Sequence, residues 1–323
     1  MSTSSIRRDI SRRSARPGHG AERRFTVVAD DGVRLAAREY GPADAELTVV
    51  FLHGHCLRSE SWTYVRDLIQ RDTRVRVVAY DHRGHGDSEQ AAAATYTIEQ
   101  LGHDLRAVLD AIGGPVVLVG HSMGGMTAMT FARQYPHEIG ARVHGLALIA
   151  TAASGVADAG CGRLLRNPAV SWFQGAVRRA PGLMHVVKRA ACAVLAPVIR
   201  WAEYGDRTVS PRVIALAAAM RNQTSIVTMA TFLSSLMCYD ESHSLPALSD
   251  VHTLILAGSA DLMTPPTHAV AMAALIRGSE FVTVDGAGHS VIMEQPARVA
   301  EELVQLLARI SGSDRDRPFA LAA

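Results

Sequence analysis

The stretch Val116-Val117-Leu118-Val119-Gly120-His121-Ser122-Met123-Gly124-Gly125 decides the fold. Its four leading apolar residues follow the turn signal Gly113-Gly114-Pro115, so the run reads as a buried strand and not as part of a long helix. Met126, Met129 and the apolar residues of 131–135 then give a helical face that stops before Pro136. Strand, G-x-S-x-G and helix in immediate succession put Ser122 on a sharp turn that projects its hydroxyl from the sheet edge. Gly120 and Gly124 remove the side chains that would collide across that turn. Ser122 is therefore the candidate nucleophile.

A serine hydroxyl is a poor nucleophile at neutral pH, so a base and an orienting acid must come from elsewhere in the chain. Residues 251–257 read as a buried strand, and Asp261 lies in the turn-rich loop that follows it, Gly258 to Pro266. Residues 281–284 read as a further short strand, followed by Asp285-Gly286-Ala287-Gly288-His289. His289 is the candidate general base and Asp261 the candidate acid. The competing role for Asp261 is to cap the helix that begins near Thr267.

The order serine, acid, histidine, with the motifs around each, resembles the α/β-hydrolase superfamily from about residue 25 to about residue 310. The resemblance implies an α/β fold: a mostly parallel eight-stranded sheet flanked by helices, with an inserted all-helical cap. It places the acid after the seventh strand and the base after the eighth, which matches Asp261 and His289. Some members carry the acid after the sixth strand, but here that strand ends Leu148-Ile149-Ala150-Thr151-Ala152 without a carboxylate. Thr48-Val49-Val50-Phe51-Leu52-His53-Gly54-His55-Cys56 is similar to the family's oxyanion loop, which implies that the backbone N–H groups of His55 and Met123 meet the developing oxyanion. His53, Gly54, Gly120, His121 and Gly124 take structural roles in these motifs, and Cys56 reads as a small buried hydrophobe. The histidine- and aspartate-rich stretch 77–88 resembles a scaffold loop. No His/Cys cluster shows zinc-ligand spacing, and there is no dinucleotide or P-loop fingerprint, so no cofactor and no metal is expected.

At 323 residues and 48% hydrophobic content the chain can bury a large core, and its net charge of +2 argues against a nucleic-acid partner. No run approaches the roughly twenty apolar residues of a membrane span. The four cysteines, Cys56, Cys161, Cys192 and Cys238, lack paired spacing; together with the absence of a secretory signal they point to reduced thiols in a bacterial cytoplasm. Residues 1–24, serine- and arginine-rich, read as a disordered tail, with an arginine-rich organellar transit peptide as the alternative, and residues 311–323 as a second tail. The last four residues, Ala320-Leu321-Ala322-Ala323, resemble a bacterial degradation tag, with a chance alanine-rich end as the alternative. A hairpin is expected across Asp30-Asp31-Gly32, with helices over 59–71, 97–112, 266–276 and 296–310.

The core thus comprises 25–151 and 246–310, and the intervening 152–245 reads as the helical cap, too long for a loop. Its apolar residues, among them Trp172, Leu183, Val194, Val198, Trp201 and Phe232, are expected to pack the cap onto the core and collectively to enclose an apolar substrate cavity. Its cations, Arg163, Arg166, Arg178, Arg179, Lys188 and Arg189, read as solvated, with guidance of an anionic headgroup or acyl carrier as the alternative. The expected function is cleavage of a carboxylic ester of a small apolar or lipid-like substrate through an acyl-enzyme. Thioester hydrolysis, acyl transfer, carbon–carbon bond hydrolysis and cofactor-free perhydrolysis use a similar triad, and a ligand-binding receptor is the non-enzymatic alternative. Monomer and homodimer both stay open.

Overall fold

The computed structural model describes residues 22–205 and 209–316, without the side chains of residues 189, 192, 193 and 313–316. Strands β1 (Arg23–Val28) and β2 (Arg34–Tyr40) form the expected hairpin, whose turn holds Gly32 at a φ of 88°. They border a sheet completed by β3 (Thr48–Leu52), β4 (Arg76–Tyr80), β5 (Val116–His121), β6 (Val143–Ile149), β7 (His252–Gly258) and β8 (Glu280–Val284). The eight strands run in the order β1-β2-β4-β3-β5-β6-β7-β8, antiparallel at β1-β2 and β2-β4 and parallel from there on.

The central strands are apolar without interruption because both faces are covered. In β3, Val50 and Leu52 point into one core and Val49 and Phe51 into the other. The first core is closed by helices α2 (Ile98–Ile112) and α3 (Met123–Gln134), through residues such as Leu101, Leu105 and Met129. The second is closed by α1 (Thr63–Asp72), through Val65 and Ile69, and by the C-terminal helix, through Leu303 and Leu307.

Between β6 and β7 the chain makes an excursion through α4 (Pro168–Arg179), α5 (Pro181–Glu203), α6 (Pro211–Gln223) and α7 (Ile226–Met237). Its two ends are tied together by the bridge Ser154↔Asp240 and by the Glu241 N–H, which donates to the Ala153 carbonyl at 2.8 Å. Helices α8 (Pro266–Leu275), α9 (Val291–Glu294) and α10 (Pro296–Asp316) complete the chain. No helix among the described residues is long and apolar enough to cross a membrane.

Several expectations change here. Arg23 and Arg24, assigned to the N-terminal tail, belong to β1, where Arg23 pairs with Glu39 at 2.5 Å. Helix α10 continues to Asp316, past the expected tail start at 311, because the next strong helix breaker is Pro318. The segment 59–62 is a separate 3-10 turn ahead of α1. Lys188 is not solvated: its ammonium is buried and donates to the carbonyls of Arg221 (2.8 Å), Asn222 (3.3 Å) and Thr224, capping the C-terminus of α6. Nor does α5 bury all its apolar residues, since Leu183, Val194, Val198 and Trp201 face outward, away from Lys188. Residues 1–21 and the terminal Ala-Leu-Ala-Ala lie outside the described residues.

Candidate active site

Strand β5 delivers Ser122 onto the turn that leads into α3, with φ 53° and ψ −120°. The turn is closed by near contact of backbones. A Cβ on Gly120 would lie 2.5 Å from the Gly124 carbonyl, and one on Gly124 would lie 2.2 Å from the Leu52 oxygen, so the sheet and the helix approach too closely for any side chain at either position.

His289, in the loop after β8, and Asp261, in the loop after β7, converge on this serine. The His289 Nε2 lies 3.0 Å from the Ser122 Oγ, and its Nδ1 lies 2.9 Å from Oδ2 of Asp261. An ionised carboxylate only accepts, so the imidazole proton sits on Nδ1 and Nε2 offers its lone pair to the serine hydroxyl. Burial opposes the charged form of His289, but the Asp261 charge and hydrogen bond outweigh it and hold its pKa above the ordinary value. For Asp261, burial pushes the pKa up, while the His289 charge and hydrogen bonds from His289 and Thr264 bring it below the usual carboxylate value. The capping role is not what Asp261 performs: helix α8 starts without a side-chain cap, and the Asp261 Oδ1 accepts the N–H groups of Met263 (2.8 Å) and Thr264 (2.9 Å) in its own loop.

The loop after β3 reaches Ser122 at Gly54, where an added Cβ would come 3.2 Å from the Ser122 Cβ, and His55 is the next residue. Met123 is the first residue of α3, so its N–H has no carbonyl within the helix to donate to. The His55 ring hydrogen-bonds the Met229 carbonyl of α7 and packs edge-on against Phe232, with centroids 6.1 Å apart. His53 holds the loop: the His82 N–H donates to its Nε2 (2.9 Å), and its Nδ1 donates to the Gly54 carbonyl (2.8 Å). Burial pushes His53 down to about 4, and His85 and His121 down to about 3, so these rings are neutral near pH 7.

The stretch 77–88 is scaffold in its geometry. Asp81 accepts the N–H groups of Ser59 (2.7 Å) and Asp87 (2.9 Å), and the buried Arg83 bridges Asp104 (2.5 Å) and Asp31 (2.7 Å). His55, Cys56 and His85 bring metal-ligand atoms within 4.8 Å of one another, a grouping the sequence spacing did not reveal. Both nitrogens of His85 are already engaged, Nε2 by the Cys56 N–H and Nδ1 with the Arg83 carbonyl, each at 3.1 Å, which ties this group to the loop scaffold.

A family model described as the alpha/beta hydrolase family matches residues 49–302. The chain belongs to this family. Among its relatives is the mouse (Mus musculus) protein named sn-1-specific diacylglycerol lipase ABHD11, 27% identical over 309 residues, which are 92% of this chain and 94% of that protein. Among solved structures, a thermophilic esterase from Thermogutta terrifontis is 28% identical with a TM-score of 0.71, over 89% of this chain and 99% of the other. The enol-lactonase of Burkholderia xenovorans LB400 shares the fold at 23% identity and a TM-score of 0.72, over 88% of this chain and 100% of the other.

Thr264 and Glu294, which carry no role in the sequence pattern, and His121, expected only as a structural residue, brace the loops around Asp261 and His289. The Thr264 Oγ1 donates to the Asp261 Oδ2 at 2.9 Å and lies 3.2 Å from the His289 Nδ1. Glu294 accepts the N–H groups of Gly288 (3.1 Å) and Gly205 (3.0 Å), and the Ser290 N–H donates to the Glu203 carbonyl at 3.0 Å, so the end of α5 and the last residue of α9 clamp the His289 loop from two sides. The Nε2 of His121 lies 2.8 Å from the His289 carbonyl and donates to it. Only the short spacing of Glu294 from His289 hints at any of this in the sequence.

Proposed function

We propose that the protein hydrolyses carboxylic esters of apolar or lipid-like substrates through an acyl-enzyme, with Ser122 as nucleophile, His289 as general base and Asp261 as its orienting carboxylate. The observation that carries this reading is the chain of contacts from Ser122 Oγ to His289 Nε2 and from His289 Nδ1 to Asp261, at 3.0 and 2.9 Å. As the Ser122 Oγ attacks the ester carbonyl, its proton passes to the His289 Nε2; the imidazolium is stabilised by Asp261 and then protonates the departing alcohol. The N–H groups of His55 and Met123 receive the oxyanion. Water, deprotonated by the same imidazole, attacks the acyl carbon and releases the acid with Ser122 restored.

We assign residues 152–245 to a cap over this site and the rest of the described chain to the catalytic core. The tie between Ser154 and Asp240, which makes the insertion a closed excursion, supports that division. The apolar preference is supported by Phe232 of α7 lying against His55 and by the mouse relative being named a diacylglycerol lipase. The test is a series of p-nitrophenyl esters of increasing acyl length alongside acyl-CoA thioesters, with a fluorophosphonate trap located by peptide mass. Labelling of the Ser122 peptide and a rate that holds or rises beyond short chains are expected. Labelling elsewhere sinks the assignment of the nucleophile, and a collapse of rate beyond short acyl chains sinks the lipid-like substrate.

A further inference from the structure

The outer side of α5 carries an apolar stripe that the rest of the described chain leaves uncovered. Leu183, Val186, Val187, Val194, Val198 and Trp201 are between 45% and 78% exposed. At 3.6 residues per turn they fall within a sector of about 120°, and at 1.5 Å per residue the stripe is about 27 Å long. The opposite side of the helix holds the buried Lys188. Exposed apolar surface of this extent on a helix marks an interaction face.

Charge identifies the partner. Between Asp158 and Glu203 the sequence carries six arginines besides the inward-facing Lys188 and no aspartate or glutamate, although the whole chain has a net charge of only +2. Arg178 and Arg179 lie exposed in the last turn of α4, and Arg200 in the last turn of α5. The helix cannot cross a bilayer: it carries Lys188, Arg189 and Arg200 with Pro197 in its interior, and no described helix meets the requirement for a span. A second copy of the chain fits poorly, because a two-fold contact through this face would set the same cations against themselves. An apolar stripe ended by a tryptophan, on a segment that is basic without a single acid, is the make-up of a helix that lies in the plane of an anionic lipid surface.

We propose that α5 docks the protein onto anionic bilayers, its stripe entering the boundary between headgroups and acyl chains. The proposal does not depend on the reaction assigned to Ser122. Of the three tryptophans, Trp62 is buried, so Trp172→Phe leaves Trp201 as the exposed reporter.

The full chain carrying Trp172→Phe is mixed with phosphatidylcholine vesicles prepared with and without phosphatidylglycerol. With the anionic lipid, Trp201 emission is expected to shift to the blue and to be quenched by brominated acyl chains, and co-sedimentation to exceed that with pure phosphatidylcholine by about tenfold and to fall as salt is raised. Val194→Asp/Val198→Asp should lose that binding by about tenfold or more, with turnover of a short soluble ester, or fluorophosphonate labelling if no ester is turned over, unchanged. Val194→Ser/Val198→Ser should show a smaller loss in the same direction, which separates lost docking from lost folding. Failure to bind the mixed vesicles, equal binding to both vesicle types, or binding untouched by both double variants would overturn the proposal. So would a blue shift that appears without lipid as the protein forms a dimer, since the stripe would then belong to a second copy.

Discussion

Ser122 holds a backbone conformation that a residue with a side chain keeps only when its surroundings enforce it. Those surroundings are mostly backbone: its N–H donates to the Ile149 carbonyl at 2.9 Å, and its own carbonyl accepts the N–H groups of Gly125 (2.9 Å) and Met126 (3.2 Å). Ser122→Ala keeps all of these bonds and removes only the hydroxyl. Ester turnover is expected to fall by roughly four to six orders of magnitude with the melting temperature nearly unchanged; a tenth of the rate surviving in protein free of other esterases would refute the role. The pH profile follows from the direction of the His289 shift. In the proposed mechanism the neutral imidazole is the base, and Asp261 holds its pKa above 6.5, so turnover should rise in a single step centred above that value and be switched off below it. Asp261→Asn removes the raising charge and should move the step to lower pH while cutting the plateau rate by roughly three to four orders of magnitude. A flat profile from pH 5 to 8 in a chemistry-limited assay contradicts the assignment. That Ser122, Asp261 and His289 would come together was legible in the sequence because each lies in the turn that follows a recognisable strand. Thr264 and His121 were not legible in their roles, since each acts through a partner that only the assembled sheet brings near.

At the scale of elements, the structure joins the end of α5 to the His289 loop by backbone contact. A Cβ on Gly288 would lie 2.3 Å from the Gly205 nitrogen and 2.7 Å from the Glu203 oxygen, and neither backbone atom can rotate away. Gly288→Ala must therefore push the two segments apart. The overpacking is expected to cost about 1 to 3 kcal/mol in urea unfolding. Because His289 is the next residue, the larger effect should be on chemistry: displacement of the imidazole by about 1 Å costs on the order of a hundredfold in kcat. A variant with wild-type kcat would show that the clamp does not position the base. The elements themselves were read well where one force dominates, as in the uninterrupted apolar runs of β3 and β5. They were misread where two compete. Apolar content predicted burial for α5, yet Lys188 takes the inward position to cap α6, and that choice turns the stripe of Val194 and Val198 to the outside. The start of β1 was missed because arginines at an edge strand can point to water and pair with Glu39, so their composition looks like a tail.

For the whole molecule, the contact between Ser122 and His289 closes a sequence separation of 167 residues and that between His289 and Asp261 one of 28. The helical insertion lies inside the first of these intervals, so its length adds to the loop that the contact between Ser122 and His289 closes. The mostly parallel sheet and the position of that excursion were legible from the alternation of strand and helix signals stopping near Thr151 and resuming near Val251; the order of the strands and the packing of the excursion were not, the latter because its own apolar cluster is small. Val177, Ile226 and Ala230 make up the buried cluster described between α4 and α7, whereas β3, β5, β6 and β7 are buried between two large cores. Local stability follows buried apolar contact. Hydrogen exchange followed by mass spectrometry should therefore show amides of α4 and α5 exchanging through local opening well before those of β3 and β5 to β7, which should exchange only with global unfolding. The stretch 203–205 should be the exception within the insertion, because its backbone is fastened to Glu294 and Ser290, and it should lose its protection together with the His289 loop. Equal protection of α5 and β5 would mean that the insertion is held as firmly as the sheet, and that substrate must reach Ser122 without any opening of these helices.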